Sequence, residues 1–306
     1  MQGRGNFPFL VGGRTDSIVW KGAALKIGGK GRIRERFYVL GHPHFPVYFL
    51  DGETPVLFDA GITALGRRYE ADLKPLLGGR TPEYLFLTHS HFDHVGAAAH
   101  FKRIWPKMKI ACSARAVEIL ARPGVIRRIR DLNSIEIQKT QSLNGTTGHE
   151  DRYEPFEVDL VLSPGHKLQL EQGLSVKALY TPGHTWDFMS YWVAQKRLLV
   201  GSEAVGTDHG NGFIMSDFPA DYDAFCRSLE YLSHLDVEIL CQGHVLVLTD
   251  EDARTHLQRS LRQAVKVGSM IEEFLRAERG NIERTVSRLK AVEFDVRFFP
   301  NPSRPI

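Results

Sequence analysis

The chain has 306 residues, 42% hydrophobic and 25% charged, a globular composition rather than a disordered or fibrous one. With 39 basic and 36 acidic residues, the net charge of +3 is too small for the field of a protein that grips polyanions. Three widely spaced cysteines (Cys112, Cys226, Cys241) make no disulfide framework, and MQGRGNFPFLVGGRTDS has no apolar run fit for a signal peptide or membrane span. These features predict a soluble cytoplasmic protein with no membrane partner. The short basic clusters RIRER (32–36) and RRIR (127–130) read as solvated faces.

In chain order, RFYVLG (36–41) predicts a strand, and FPVYFLDGETPVLFDAG (45–61) a hairpin with Asp51-Gly52 in its turn. ITALGRRYEADLKPLL (62–77) has helical spacing, EYLFLT (83–88) is a buried strand, and HVGAAAHFKRIW (94–105) predicts one helix. KMKIACS (107–113) is strand-like, and residues 114–133 are helical with a break at Pro123-Gly124. From Ser134 to Tyr153 the chain is polar and weakly patterned, and NGTTGHED (144–151) reads as a loop that could form a flap. A second β-rich block follows: VDLVLS, KLQLEQGLSVKALYTPGH, SYWVA and RLLVGSE. A helix over 221–235, a strand VEILCQGH (237–244), long helical patterns over 251–279 and 282–289, and a proline-rich tail complete the chain. Strands then helices, twice over, fit two sheet layers covered by helices.

One stretch carries chemistry. HSHFDH places His89, His91, Asp93 and His94 within six residues, directly after an apolar strand. A polar surface loop is the bland explanation, but three further apolar strands also end in polar residues: ALYTPGHT at His184, RLLVGSE at Glu203 and EILCQGH at His244. Strands that end together at one sheet edge present their terminal side chains to a common crevice. Imidazole and carboxylate are hydrolytic zinc ligands, and alternate residues of an extended H-x-H face the same way.

These motifs, in this order over residues 37–250, resemble the metallo-β-lactamase superfamily. HSHFDH is similar to its H-x-H-x-D-H signature, TPGHT to its third-ligand loop and QGH to its last histidine. VLFDAG is similar to its first motif, whose Asp59 braces the histidine loop without binding metal. The resemblance implies an α/β four-layer αβ/βα sandwich, with a catalytic domain over 1–250 and a helical extension over 251–306. It also implies two divalent ions, zinc foremost with iron or manganese as alternatives. His89, His91 and His184 would bind one ion, and Asp93, His94 and His244 the other. A bridging hydroxide would be the nucleophile, between ions roughly 3.5–4 Å apart, and Asp93 would serve catalysis. The family's bridging aspartate is missing: the strand reads LLVGSE, which makes Glu203 the expected bridge and Asp208 its rival.

His42 and His44 form a second H-x-H ahead of the early hairpin, where the fold borders its cleft. With His209, Phe213, Ile214 and Met215 of a Gly-rich loop they are candidate pocket residues. His166, His100, His149, His234 and His256 take structural readings. The resemblance favours a hydrolase of small thioesters, esters or lactones, in the manner of glyoxalase II and the acyl-homoserine lactonases. A tRNA 3′-processing type phosphodiesterase and an iron-dependent oxidoreductase are the alternatives, the former disfavoured by weak net charge and the lack of a basic arm. The helices after Glu251 are expected to cap the pocket or pair subunits in a homodimer; the stripe Leu257, Leu261, Val265, Val267 reads as core packing.

Overall fold

A computed structural model describes residues 19–21, 24–26, 29–144 and 152–295. The body of the NGTTGHED loop, with Thr146 and His149, and the tail after Asp295 lie outside the described residues. A short hairpin of β1 (Val19–Lys21) and β2 (Ala24–Lys26) comes first. Seven strands then form one sheet in sequence order: β3 (Gly31–Arg34), β4 (Phe37–His42), β5 (Phe45–Leu50), β6 (Val56–Phe58), β7 (Tyr84–Phe86), β8 (Lys109–Ser113) and β9 (Leu160–Leu162). The first four are an antiparallel meander, since their connections are tight. From β6 onward pairing is parallel, because helices carry the chain back over the sheet: α1 (Gly66–Leu77), then α2 (Phe92–Val95) with α3 (Ala98–Ile104), then α4 (Ala114–Leu120) with α5 (Pro123–Asn144).

The second sheet starts with β10 (Lys167–Glu171), β11 (Leu174–Tyr180), β12 (Met189–Val193) and β13 (Leu198–Ser202). A small hairpin, β14 (Thr207–Asp208) and β15 (Ile214–Met215), and helix α6 (Tyr222–Ser233) lead to β16 (Ile239–Gln242), which runs parallel to β13. The edge strand β17 (Val247–Thr249) closes the sheet, and α7 (Asp250–Ala277) and α8 (Ile282–Leu289) follow.

Three apolar clusters separate four layers. Phe37, Tyr48, Phe58 and Phe86 of the first sheet meet Val176, Met189, Tyr191 and Val200 of the second in the central seam. The outer face of the first sheet packs Phe49, Leu57 and Leu85 on Tyr69, Leu73 and Phe101 of α1 and α3. The outer face of the second packs Leu179, Leu199 and Leu240 on Phe225 and Leu229 of α6 and on Ala253 and Leu257 of α7. The chain is therefore an αβ/βα sandwich. Two buried tyrosines cross the seam near one edge: Tyr48 donates to the Gln242 carbonyl at 2.6 Å, and Tyr191 to the Leu87 carbonyl at 2.6 Å.

Several elements differ from the sequence expectation. The helix expected over 94–105 is two, α2 and α3. The segment from Ser134, polar and weakly patterned in sequence, continues α5 to Asn144. SIEIQKTQSLN holds no Gly or Pro to end a helix, so a polar run of this kind is compatible with one. On α7 the buried face holds Ala253, His256, Leu257, Ser260, Ala264 and Phe274, with Leu261 partly covered, whereas Val265 is 47% exposed. Gly268 lets α7 close on α6: a Cβ there would lie 2.6 Å from the Tyr222 ring. Among the described residues no helix is long and apolar enough to cross a membrane.

Gly96, between α2 and α3, has ordinary helical dihedrals, so only space demands glycine there. A Cβ would sit 2.6 Å from the Thr63 nitrogen and 2.7 Å from the Gly61 carbonyl oxygen, both backbone atoms. Gly96→Ala should therefore lower unfolding stability by about 1–3 kcal/mol. Denaturant unfolding checks this; an unchanged midpoint would contradict so close an approach.

Candidate metal centre

Strand ends deliver every candidate donor to one edge of the sandwich. After β7 the chain reaches His91 in an extended conformation, and α2 begins at Phe92, which puts Asp93 and His94 in its single turn. The alternation expected for H-x-H brings the His89 and His91 rings to 4.6 Å. His184 follows β11, Glu203 opens a short 3-10 turn straight after β13, and His244 stands two residues beyond β16. The parallel pairing of β13 with β16 is what sets Glu203 and His244 side by side.

Three overlapping donor groups result, each with its ligand atoms within 4.8 Å of one another: His89, His91, His184; His89, His94, Glu203; and Asp93, His94, His244. Glu203 Oε1 lies 2.8 Å from both His94 Nε2 and His244 Nε2. Asp93 Oδ2 is 3.6 Å from His244 Nε2 and 3.9 Å from His94 Nε2. His184 Nε2 is 3.1 Å from His91 Nδ1. Asp208, the rival of Glu203, falls outside these groups; its backbone N–H donates to Gln242 and its carboxylate accepts from Gly210 N–H.

The rear of each ring explains why these nitrogens point inward. His94 Nδ1 is held by Asp59 Oδ2 at 2.8 Å, His184 Nδ1 by the Asp217 carbonyl at 3.0 Å, and His244 Nδ1 by the His44 carbonyl at 2.6 Å. His89 Nδ1 is 3.0 Å from Thr88 Oγ1, which in turn donates to Asp59. Metal-binding histidines characteristically donate the second ring nitrogen this way, which fixes tautomer and orientation. In all four rings Nε2 is left for the interior. His89 Nε2 is buried without a hydrogen-bond partner in the protein, which costs on the order of 1–3 kcal/mol unless something accepts its lone pair. An inward orphan nitrogen amid imidazoles and carboxylates fits a divalent cation.

Charge follows the same geometry. Burial, then the neighbouring His94 and His91 rings, pushes His89 well below the usual imidazole range, so it stays neutral. Burial also opposes charge on His94, but the carboxylates of Glu203, Asp59 and Asp93 outweigh it and raise His94 well above that range. His244 is raised likewise: burial opposes charge, and the hydrogen bond and charge of Glu203 prevail. Burial alone would raise the Glu203 carboxyl; His94 foremost, with His244 and His89, holds it well below the usual carboxylate range.

Asp59 stands one shell back, its carboxylate shared between Thr88 and His94. His44 meets the centre through its carbonyl, while its ring stacks on His42 at 5.4 Å. His209, Phe213 and Met215 lie on or beside the β14–β15 hairpin, outside the donor groups, and Ile214 is buried there. Burial first, then the nearby His244 and His44 rings, pushes His209 down to about 4.

Other supports had no motif to reveal them. Asp187 accepts the Ser90 N–H at 2.8 Å. Asn133 of α5 accepts from Thr63 N–H and donates to the Phe92 carbonyl. Gly243 leaves room for the carboxylate itself, since a Cβ there would lie 2.2 Å from Glu203 Oε1. Only that glycine, next to a candidate ligand histidine, could have been suspected from sequence.

The pKa directions give a sign for metal uptake. His94 is raised well above the usual imidazole range and His244 is raised too, so each holds a proton more tightly than a free imidazole, and a ligand nitrogen must lose its proton. Metal affinity should rise with pH through those raised values, with proton release on loading. Calorimetric zinc titration in buffers of different ionisation enthalpy checks this; affinity flat from about pH 6 to 9 would contradict it.

Residues 41–244 match the family model of the metallo-beta-lactamase superfamily. A Caenorhabditis elegans beta-lactamase-like protein 2 homolog is 25% identical over 251 residues, covering 77% of this chain and 71% of its own. The atrochrysone carboxyl ACP thioesterase of Aspergillus fumigatus is 22% identical over 197 residues, 64% of this chain; the match spans about half of that relative (49%). A metallo-beta-lactamase family protein from Thermus thermophilus superposes with a TM-score of 0.59 at 21% identity, over 87% of this chain and 90% of its own. The family match spans two thirds of the sequence, from the end of β4 to the last histidine of the centre, and the chain belongs to the metallo-beta-lactamase superfamily.

Proposed function

We propose that this chain is a metal-dependent hydrolase of a small thioester, ester or lactone. The observation that carries the reading is the set of inward Nε2 atoms grouped with Asp93 and Glu203. His89, His91 and His184 would hold one divalent ion and Asp93, His94 and His244 a second, with Glu203 between them. Zinc suits these donors best; iron and manganese share them. Bound there, such ions acidify water toward neutral pH and polarise an acyl carbonyl.

The protein's own groups do the rest. Glu203 brings a buried negative charge that offsets repulsion between two dications. Asp59, Thr88, Asp217 and the His44 carbonyl hold four rings in place, so little reorganisation accompanies reaction. Asp93 is less enclosed than Glu203, with 15% of its side chain exposed against 6%. Its carboxylate accepts the proton of the attacking water and returns it to the departing thiolate or alkoxide. The thioesterase among the relatives supports an acyl substrate, and the net charge of +3 argues against a polyanionic one.

Turnover of thioesters or lactones should vanish on exhaustive chelation and return with zinc. Asp93→Asn should lower kcat by about 10²–10⁴ while the chain keeps at least one ion. Acyl turnover that survives chelation would sink the proposal, as would cleavage of a phosphodiester substrate alone.

A further inference from the structure

The turn that carries Glu203 rests on a helix outside the span that matches the family. Residues 203–205 form a 3-10 turn, and Ser202 before it takes φ 49° and ψ −134°, a conformation that non-glycine residues avoid. The turn is short of support from its own strand, since the register of β13 against β16 shifts between Val200 and Ser202. Its far end is held by α7. His256, 0% exposed, has Nε2 2.9 Å from the Val205 carbonyl oxygen, and a carbonyl only accepts, so Nε2 carries the proton. One turn along the helix, Ser260 lies against Gly206, where a Cβ would come within 2.6 Å of its hydroxyl. Val205, Ala253 and Leu257 share one apolar cluster, so turn and helix cannot part without opening it. On the opposite side, the missing side chain of Gly243 gives the carboxylate its space. Glu203 is thus set between β16 and α7.

We propose that His256 is a positioning residue for the Glu203 carboxylate. Through Val205 it fixes the turn so that Oε1 reaches His94 and His244, and the ion on that side depends on it. This makes α7 a working part of the centre. The inference rests on Glu203 being a metal ligand, so that reading needs its own arm in the test.

The experiment titrates the full chain with zinc and with cobalt against a competing chelator, and follows unfolding in parallel. His256→Leu keeps an apolar side chain of adequate size and removes the donor. His256→Asn supplies an N–H donor on a shorter side chain, drawn back from Val205. His256→Gln returns an N–H donor at about the reach of Nε2. The Leu and Asn variants should bind the second ion about tenfold or more weaker, the scale for loss of an outer-shell partner, with the first ion unaffected. The Gln variant should recover most of that affinity, and the cobalt absorption spectrum should move with the second ion. If the Leu variant does not fold, the Asn and Gln pair decides. Second-ion binding unchanged in Asn, or equally weak in Asn and Gln, overturns the proposal, even where stability falls. Glu203→Gln should lose the second ion. If Glu203→Gln keeps both ions, the ligand reading itself fails; if it loses one while His256→Asn keeps both, only the role of His256 fails.

Discussion

A single carboxylate organises this protein. Glu203 is 4% exposed, and burying its charge would be prohibitive without partners. Its partners are His94 and His244, each 2.8 Å from Oε1, while Ser202 donates to Oε2 at 2.7 Å. These three come from α2, from the end of β16 and from β13, so the charge joins both sheets. Remove it, and both imidazoles lose the carboxylate that their Nε2 atoms face. The raised His94 and depressed Glu203 are two sides of one interaction.

The backbone is bent where the donors leave the sheets. Asp59, Ser202 and Val245 all have positive φ, at 58°, 49° and 68°, and each adjoins a strand end at the centre. For a β-branched residue such as Val245 this conformation is a true outlier. Such residues cost on the order of 1–3 kcal/mol each and persist only where their surroundings hold them. The holding contacts are present: Val245 N–H donates to the Pro43 carbonyl at 2.6 Å, Ala60 N–H to the His94 carbonyl at 2.7 Å, and Gly206 N–H to the Glu203 carbonyl at 3.0 Å. The Val245 contact also draws the His42–His44 loop over His244, whose ring nitrogen is held by the His44 carbonyl. Strain on one strand end is thus balanced by a bond that completes the same site.

Layering explains why the centre lies at the seam. The central cluster is closed near the donors by Tyr48 and Tyr191, whose hydroxyls bond to carbonyls at the ends of β16 and beyond β7. Phe188 stacks under His89 with ring centroids 4.6 Å apart, so the deepest imidazole has an aromatic floor. The centre has an apolar base and a polar rim, where His91 is exposed and Asp93 and His244 are partly so.

Sequence alone determined the parts written in short-range pattern. Apolar strands of period two, their order, and the polar residues at their ends were all legible, because side-chain alternation and ligand type are properties of neighbours along the chain. The expectation that HSHFDH, His184, Glu203 and His244 meet in one crevice came from that pattern, and their donor atoms lie in adjoining groups. It failed where a local signal has two meanings: the polar run after Asn133 continues α5, and the single helical pattern over 94–105 is two helices. Tertiary structure alone decided the rest. Asp187, Asn133, the His44 carbonyl and His256 act through contacts between residues far apart in sequence. His256 in particular looks like any buried histidine on an amphipathic helix until α7 is laid against the turn that follows Glu203. Such roles depend on which surfaces the fold brings together, and no spacing along the chain encodes that.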